Sequence, residues 1–118
     1  VSAEGLTGKL AGAGERVAGD GEFGGRIARA DSVEDVLALA QEDLSATVLL
    51  TEQASASAFG PILPLVSGVI CTRGGPSAHL AIVSRGLQLP CVMQVKLERE
   101  LEPGTEVAVD GAGKVWLR

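Results

Sequence analysis

Residues Cys71 to Val92 read CTRGGPSAHLAIVSRGLQLPCV, and the conformation changes twice inside this segment. The apolar run Gly68 to Thr72 reads as a strand that breaks at the loop Arg73-Gly74-Gly75. Pro76 suits the first position of a helix, predicted from about Pro76 to Leu87. Leu80-Ala81-Ile82-Val83 is apolar nearly all round, so this helix is expected to be deeply packed. A further strand follows from Leu89 to Val95. His79, the only histidine of the chain, then falls in the helix's first turn beside a glycine loop.

That position suits an acceptor of phosphoryl groups. Imidazole is the side chain that is both neutral and nucleophilic near pH 7. A helix N-terminus offers unpaired N–H groups and a partial positive charge, which favour a neutral nucleophile before transfer and an anionic product after it. Gly74 and Gly75 would let a phosphate donor approach the backbone. Arg73, Arg85 and the hydroxyls of Thr72, Ser77 and Ser84 are candidates to contact the phosphoryl group. Plainer readings stand beside these. A lone histidine is commonly structural, a glycine pair can be only a turn, and Ser84 suits helix surface or packing. Arg85 is equally suited to meeting the dipole at the helix C-terminus.

Outward from this segment, strands and helices alternate. Gly5 to Gly25 is punctuated by glycine and reads as short strands and tight turns. Arg26 to Ala30 reads as a strand. Asp31-Ser32 opens a helix with Ser32 as N-cap, Glu34 and Asp35 in its first turn, and Val33, Val36, Leu37 and Ala40 on its buried face. Ala46 to Thr51 is a β-branched apolar run, expected in the interior of a sheet. Glu52 to Phe59 reads as a polar loop. Gly60-Pro61 begins a short helix carrying Ile62, Leu63, Leu65 and Val66, curtailed by Pro64. Glu106 to Val109 and Val115 to Leu117 form a hairpin around Asp110-Gly111-Ala112-Gly113. The order predicts an α/β sandwich with a substantial sheet.

The 118 residues are 46% hydrophobic and 21% charged, which suits one domain with a real core. Only Trp116, Phe23 and Phe59 are aromatic, so Ala, Val, Leu and Ile must fill that core. A net charge of −5 without a basic stripe argues against nucleic acid as a partner. Apolar runs of a few residues argue against a membrane span, and the expected location is the cytoplasm. Cys71 and Cys91 sit in apolar strands and read as small buried hydrophobes.

The central segment resembles the signature of the phosphohistidine domain of phosphoenolpyruvate (PEP)-utilising enzymes. That family includes enzyme I of the sugar phosphotransferase system, pyruvate phosphate dikinase, PEP synthase and rifampin phosphotransferase. Its pattern, G-G-x-[TS]-[SC]-H-x-[AS]-I-[VM]-[AS]-R followed by a Leu and a strand-opening Pro, is met without a gap. Gly74, Gly75, Ser77, His79, Ala81, Ile82, Val83, Ser84, Arg85, Leu87 and Pro90 fall on it. Gly8 to Gly14, Leu49-Leu50-Thr51, Gly68-Val69-Ile70 and Gly104 to Gly111 resemble the family's other strands. Three positions depart from it. Ala78 stands where Ser or Cys is usual, Pro76 where Arg or Met is frequent, and Gln94 near a glycine that commonly follows P-x-V-[VM].

The resemblance implies a swivelling β/β/α phosphohistidine domain over residues 1–118 and phosphorylation of His79 on Nε2. It implies a phosphoryl carrier loaded by an ATP- or PEP-binding partner domain and unloaded at a second active site. The chain is too short to hold those domains, and neither G-x-x-x-x-G-K-[ST] nor G-x-G-x-x-G is met. It is therefore expected to be an excised domain or a free-standing module, part of a phosphotransferase system and not a complete enzyme. No cofactor is expected on this domain, magnesium belonging to the partner sites. Pro76 and Leu80 are the expected docking rim around His79. Two other readings remain: a regulatory scaffold that keeps the fold unphosphorylated, which Ala78 favours, and a small anion-binding domain.

Overall fold

The alternating strands and helices build a sheet that closes on itself. The computed structural model describes residues 9–118, so the Gly5 to Gly8 part of the glycine-rich opening lies outside the described residues. The strands are β1 (Leu10–Ala18), β2 (Phe23–Arg29), β3 (Thr47–Thr51), β4 (Gly68–Cys71), β5 (Cys91–Leu97), β6 (Glu106–Val109) and β7 (Lys114–Leu117). The helices are α1 (Val33–Leu39) and α2 (His79–Leu87). Among the described residues the barrel order is β1-β5-β4-β3-β2-β6-β7. Strands β2, β3, β4 and β5 pair in parallel, while β1, β6 and β7 complete the ring antiparallel.

A closed barrel stands in place of the α/β sandwich and the β/β/α layering expected from the sequence, and β1 is the reason. The opening was expected as short strands, but Leu10 to Ala18 form one strand that bridges β5 and β7. Register shifts at Leu10/Gly12, Ala13/Glu15 and Arg16/Ala18 bend it around the ring. Within β1, Gly14 permits the tightest approach to β5, since a Cβ there would lie 2.5 Å from the Met93 carbonyl oxygen.

Two apolar clusters sit on opposite faces of the parallel strands. Val48, Leu50, Ile70 and Val92 point into the barrel with Phe23, Ile27, Val107, Val109 and Val115. Their neighbours Leu49, Val69, Cys71, Cys91 and Met93 point outward beneath Val36, Phe59, Ile62, Leu63, Leu80 and Ala81. The parallel strands are thus covered on both faces, which explains their unbroken apolar sequences.

The elements between strands differ from expectation in detail. Ser32 caps α1, its Oγ accepting from the Asp35 N–H at 3.2 Å. Only Val36 of the predicted face is buried; Val33 and Leu37 are each 57% exposed, and Ala40 lies beyond the helix and exposed. A helix of seven residues lays a single turn against the sheet. The segment after Gly60-Pro61 forms successive turns, with the Leu63 N–H on the Phe59 carbonyl and the Val66 N–H on that of Ile62. Pro64 lacks the N–H a regular helix would need there. The segment still buries Ile62, Leu63 and Val66, while Leu65 faces outward. The β6–β7 hairpin forms as read, with Val109 opposite Val115. No helix among the described residues is long and apolar enough to cross a membrane.

Candidate functional site

Strand β4 delivers the chain to the site and the glycine pair turns it. Beyond Cys71, the Thr72 N–H bonds the Thr51 carbonyl at 3.1 Å, and the Cys71 thiol donates to the Arg73 carbonyl at 3.2 Å. Gly74 adopts φ +77°, and a Cβ there would lie 2.8 Å from Ala54 Cβ, 2.9 Å from Met93 Cε and 3.1 Å from Ala78 Cβ. Gly75 is different, since the nearest atom to its virtual Cβ is Gln94 Nε2 at 3.5 Å. Gly74 therefore fits the loop onto the core, and Gly75 leaves an open backbone face.

The helix begins later than its sequence suggests. The Ala78 N–H closes a turn onto the Gly75 carbonyl at 3.0 Å, and Ala78 is the N-cap, without a side-chain capping bond. Pro76 thus lies in the preceding turn, and His79 is the first helical residue. Arg85 ties this turn down: one terminal nitrogen donates to the Pro76 carbonyl at 2.6 Å and the other to the Val17 carbonyl of β1 at 3.3 Å. The guanidinium braces the main chain ahead of His79.

The loop 52–59, read from the sequence only as a polar connection, folds onto the start of α2. The Leu80 N–H donates to the Ala54 carbonyl at 2.8 Å, and the Ala56 N–H donates to Nδ1 of His79 at 3.1 Å. A backbone N–H can only donate, so Nδ1 here presents its lone pair. The neutral ring consequently carries its proton on Nε2. His79 is exposed, and Nε2 faces no hydrogen-bond partner among the described residues. Sequence gives no sign of the Ala56 contact, because a main-chain group makes it.

The other candidates separate. Ser77 is exposed and Thr72 half-buried. Arg73 is exposed, with its Nε 3.9 Å from Glu52, which also pairs with Arg29 at 3.0 Å. Asp31 anchors this edge, accepting from the Thr51 hydroxyl at 3.0 Å and the Glu52 N–H at 2.8 Å. Burial pushes the Asp31 carboxyl up, but these bonds and Arg29 outweigh it and hold it below the usual carboxylate range. Ser84 is fully buried, and its Oγ has no hydrogen-bond partner among the described residues, so it cannot meet a phosphoryl group at the surface.

Helix α2 is also less deeply packed than its composition suggests. Leu80, Ala81 and Ser84 are buried, but Ile82 is 52% and Leu87 47% exposed. Leu80 is therefore core, and of the expected rim only Pro76 is exposed. Both cysteines are free and buried. Burial pushes the Cys91 thiol up to about 12 and raises Cys71 as well. Neither is a thiolate near neutrality. A groove of about 620 Å³ lies at the far end of α2, lined by residues including Arg16, Asp20, Arg85 and Gln88, and not by His79. Among the described residues no three His, Cys, Asp or Glu side chains are grouped to hold a metal ion.

A PEP-protein phosphotransferase of Streptomyces coelicolor is 41% identical over 54 residues, covering 45% of this chain and 10% of its own length. An uncharacterised protein of Mycobacterium tuberculosis is 32% identical over 101 residues, covering 85% of this chain and 12% of its own. The chain thus spans about a tenth of the length of the curated relatives it matches. The solved N-terminal domain of enzyme I of the nitrogen system superposes with a TM-score of 0.54 at 24% identity, covering 72% of this chain and 36% of that one. The family described as "PEP-utilising enzyme, mobile domain" matches residues 44–114, which hold strands β3 to β6, the glycine loop and helix α2 with His79. On that match, which covers more than half of its residues, the chain belongs to the PEP-utilising enzyme mobile-domain family.

Proposed function

We propose that the chain is a phosphoryl carrier in which His79 accepts a phosphoryl group on Nε2 and passes it on. The observation that supports this most is the His79 ring itself, exposed at the first position of α2 with Nδ1 held by the Ala56 N–H. With Nδ1 occupied, Nε2 is the nitrogen available to a donor. In this tautomer Nε2 carries the ring proton, so a base of the partner site must take that proton to free the lone pair. As the N–P bond then forms, the P–O bond of the donor breaks, and the proton passes to the departing oxygen. The helix N-terminus stabilises the resulting dianion. Thr72, Arg73, Gly74, Gly75 and Ser77 form the surrounding loop, with Gly75 and Ser77 nearest in the chain to the acceptor, and Arg85 of α2 holds that loop in place.

An exposed acceptor suits delivery by a macromolecular site that closes over it. We infer that the partners are nucleotide-binding or PEP-binding domains of the same phosphotransfer system, between which this domain swivels in the cytoplasm. Magnesium belongs to those sites, and this domain alone completes no reaction. Ala78, which caps α2 without a side-chain bond, favours the alternative of an unphosphorylated scaffold. Incubation with radiolabelled PEP or ATP and the partner domains separates the two. The carrier takes up label that is stable to base, released by acid and absent from His79→Ala. A folded domain that takes no label with its partners present would establish the scaffold.

A further inference from the structure

Two non-glycine residues of the described chain have positive φ, Gln88 and Gln94. Gln88 is the left-handed C-cap of α2, an ordinary helix exit. Gln94 lies inside β5 at φ +55°, a left-handed conformation that is strained for a non-glycine residue. The pairing explains the conformation. Ala13 faces Lys96 but Glu15 faces Met93, so β5 holds one residue more than β1 between these pairs, and Gln94 sits in the irregularity. Glycine is the residue such a bulge favours. The backbone therefore gives no reason for a glutamine here.

Packing gives none either. Gln94 is exposed, and its carboxamide has no hydrogen-bond partner among the described residues. What it meets is the glycine loop: Nε2 lies 3.5 Å and Cδ 3.8 Å from the position a Gly75 Cβ would take. Met93, one residue earlier, fills the space against Gly74 from the buried side. Strand β5 thus flanks both glycines, with a thioether against the first and a free amide over the second. Gly75 in turn is hydrogen-bonded to Ala78, the residue before His79.

We propose that Gln94 is a phosphate-contacting residue of the His79 site, its carboxamide N–H donating to a phosphoryl oxygen held over Gly75. This rests on the carrier reading for its ligand. An amide supplies two neutral donors and so orients an oxyanion without the permanent charge of an arginine.

The test is a titration of the ¹⁵N-labelled chain with inorganic phosphate, followed by NMR at the Gln94 carboxamide and the Gly75 amide. Both resonances are expected to shift with one dissociation constant. Gln94→Gly, which relieves the left-handed strain, should leave the fold intact and weaken phosphate binding about three- to tenfold, the loss of one hydrogen bond to a charged group at an exposed site. Gln94→Glu should weaken it further, because a carboxylate repels the ligand. A Gln94 amide that does not move, or a Gln94→Gly protein that binds phosphate as tightly as the parent, overturns the proposal. Label on His79 is scored separately: its absence would sink the carrier reading, while the titration would still decide the role of Gln94.

Discussion

Gly74→Ala and Gly75→Ala place one methyl on each of two adjacent residues, and the structure assigns them opposite consequences. At Gly74 two penalties combine. The left-handed backbone at φ +77° costs an alanine about 1–2 kcal/mol. The new methyl also falls within 2.8–3.1 Å of Ala54 Cβ, Met93 Cε and Ala78 Cβ. Met93 can swing its terminal methyl away, but Ala54 and Ala78 move only with their backbones, and such overpacking costs about 1–3 kcal/mol. A total loss of about 2–5 kcal/mol is expected, a large part of a small domain's stability. At Gly75 the nearest atom is the end of a flexible glutamine at 3.5 Å, and φ lies outside the left-handed region. Gly75→Ala should change stability by about 0.5 kcal/mol or less, or raise it slightly by restricting the unfolded chain. Urea unfolding followed by Trp116 fluorescence and circular dichroism measures both variants. The reasoning is refuted if Gly74→Ala loses under about 1 kcal/mol, or if the two variants fall by the same amount.

Three further outcomes are expected. Burial raises the Asp110 carboxyl, but bonds from the Lys114 and Ala112 N–H groups and the Trp116 indole outweigh it, leaving Asp110 low, as Asp31 also is. Their contribution is present above the ordinary aspartate value of about 3.9 and fades as pH falls through the lower folded values. Acid unfolding monitored at Trp116 should therefore be shallower in Asp110→Asn, and an unchanged acid limb would contradict this. Ser84→Ala removes a buried hydroxyl without a hydrogen-bond partner among the described residues, so stability should hold or rise by up to about 1 kcal/mol; a loss of about 1 kcal/mol or more in thermal unfolding would reveal a working bond. Arg85→Ala frees the Pro76 and Val17 carbonyls, and hydrogen exchange at the Ala78 N–H should accelerate with a stability cost of about 1 kcal/mol. Unchanged exchange there would show that the brace is idle.

The parallel half of the barrel was legible because its strands are buried on both faces and carry unbroken apolar runs, as at Val48-Leu49-Leu50. His79 was legible because a glycine pair, a proline and an apolar run mark a helix start within a few residues. Local pattern does not carry tertiary detail. Closure of the barrel depends on bulges in β1, set by partners some eighty residues away. The start of α2 shifts from Pro76 to His79 because the Gly75–Ala78 turn and the Arg85 brace capture the intervening residues. Val33 and Leu37 have the right spacing for a buried face, yet α1 touches the core along one turn only. The Ala56 contact was illegible for another reason, since any non-proline residue could supply that N–H. Gln94 was visible only as a departure from a glycine, and its left-handed φ now gives that glycine a physical meaning.

The most direct test of the account is to phosphorylate the chain with its partner domains and read the His79 ring by long-range proton–nitrogen NMR correlation. The account predicts phosphorus on Nε2 and an unprotonated Nδ1 still accepting from Ala56 at neutral pH. Phosphate on Nδ1, or on any residue other than His79, would contradict it.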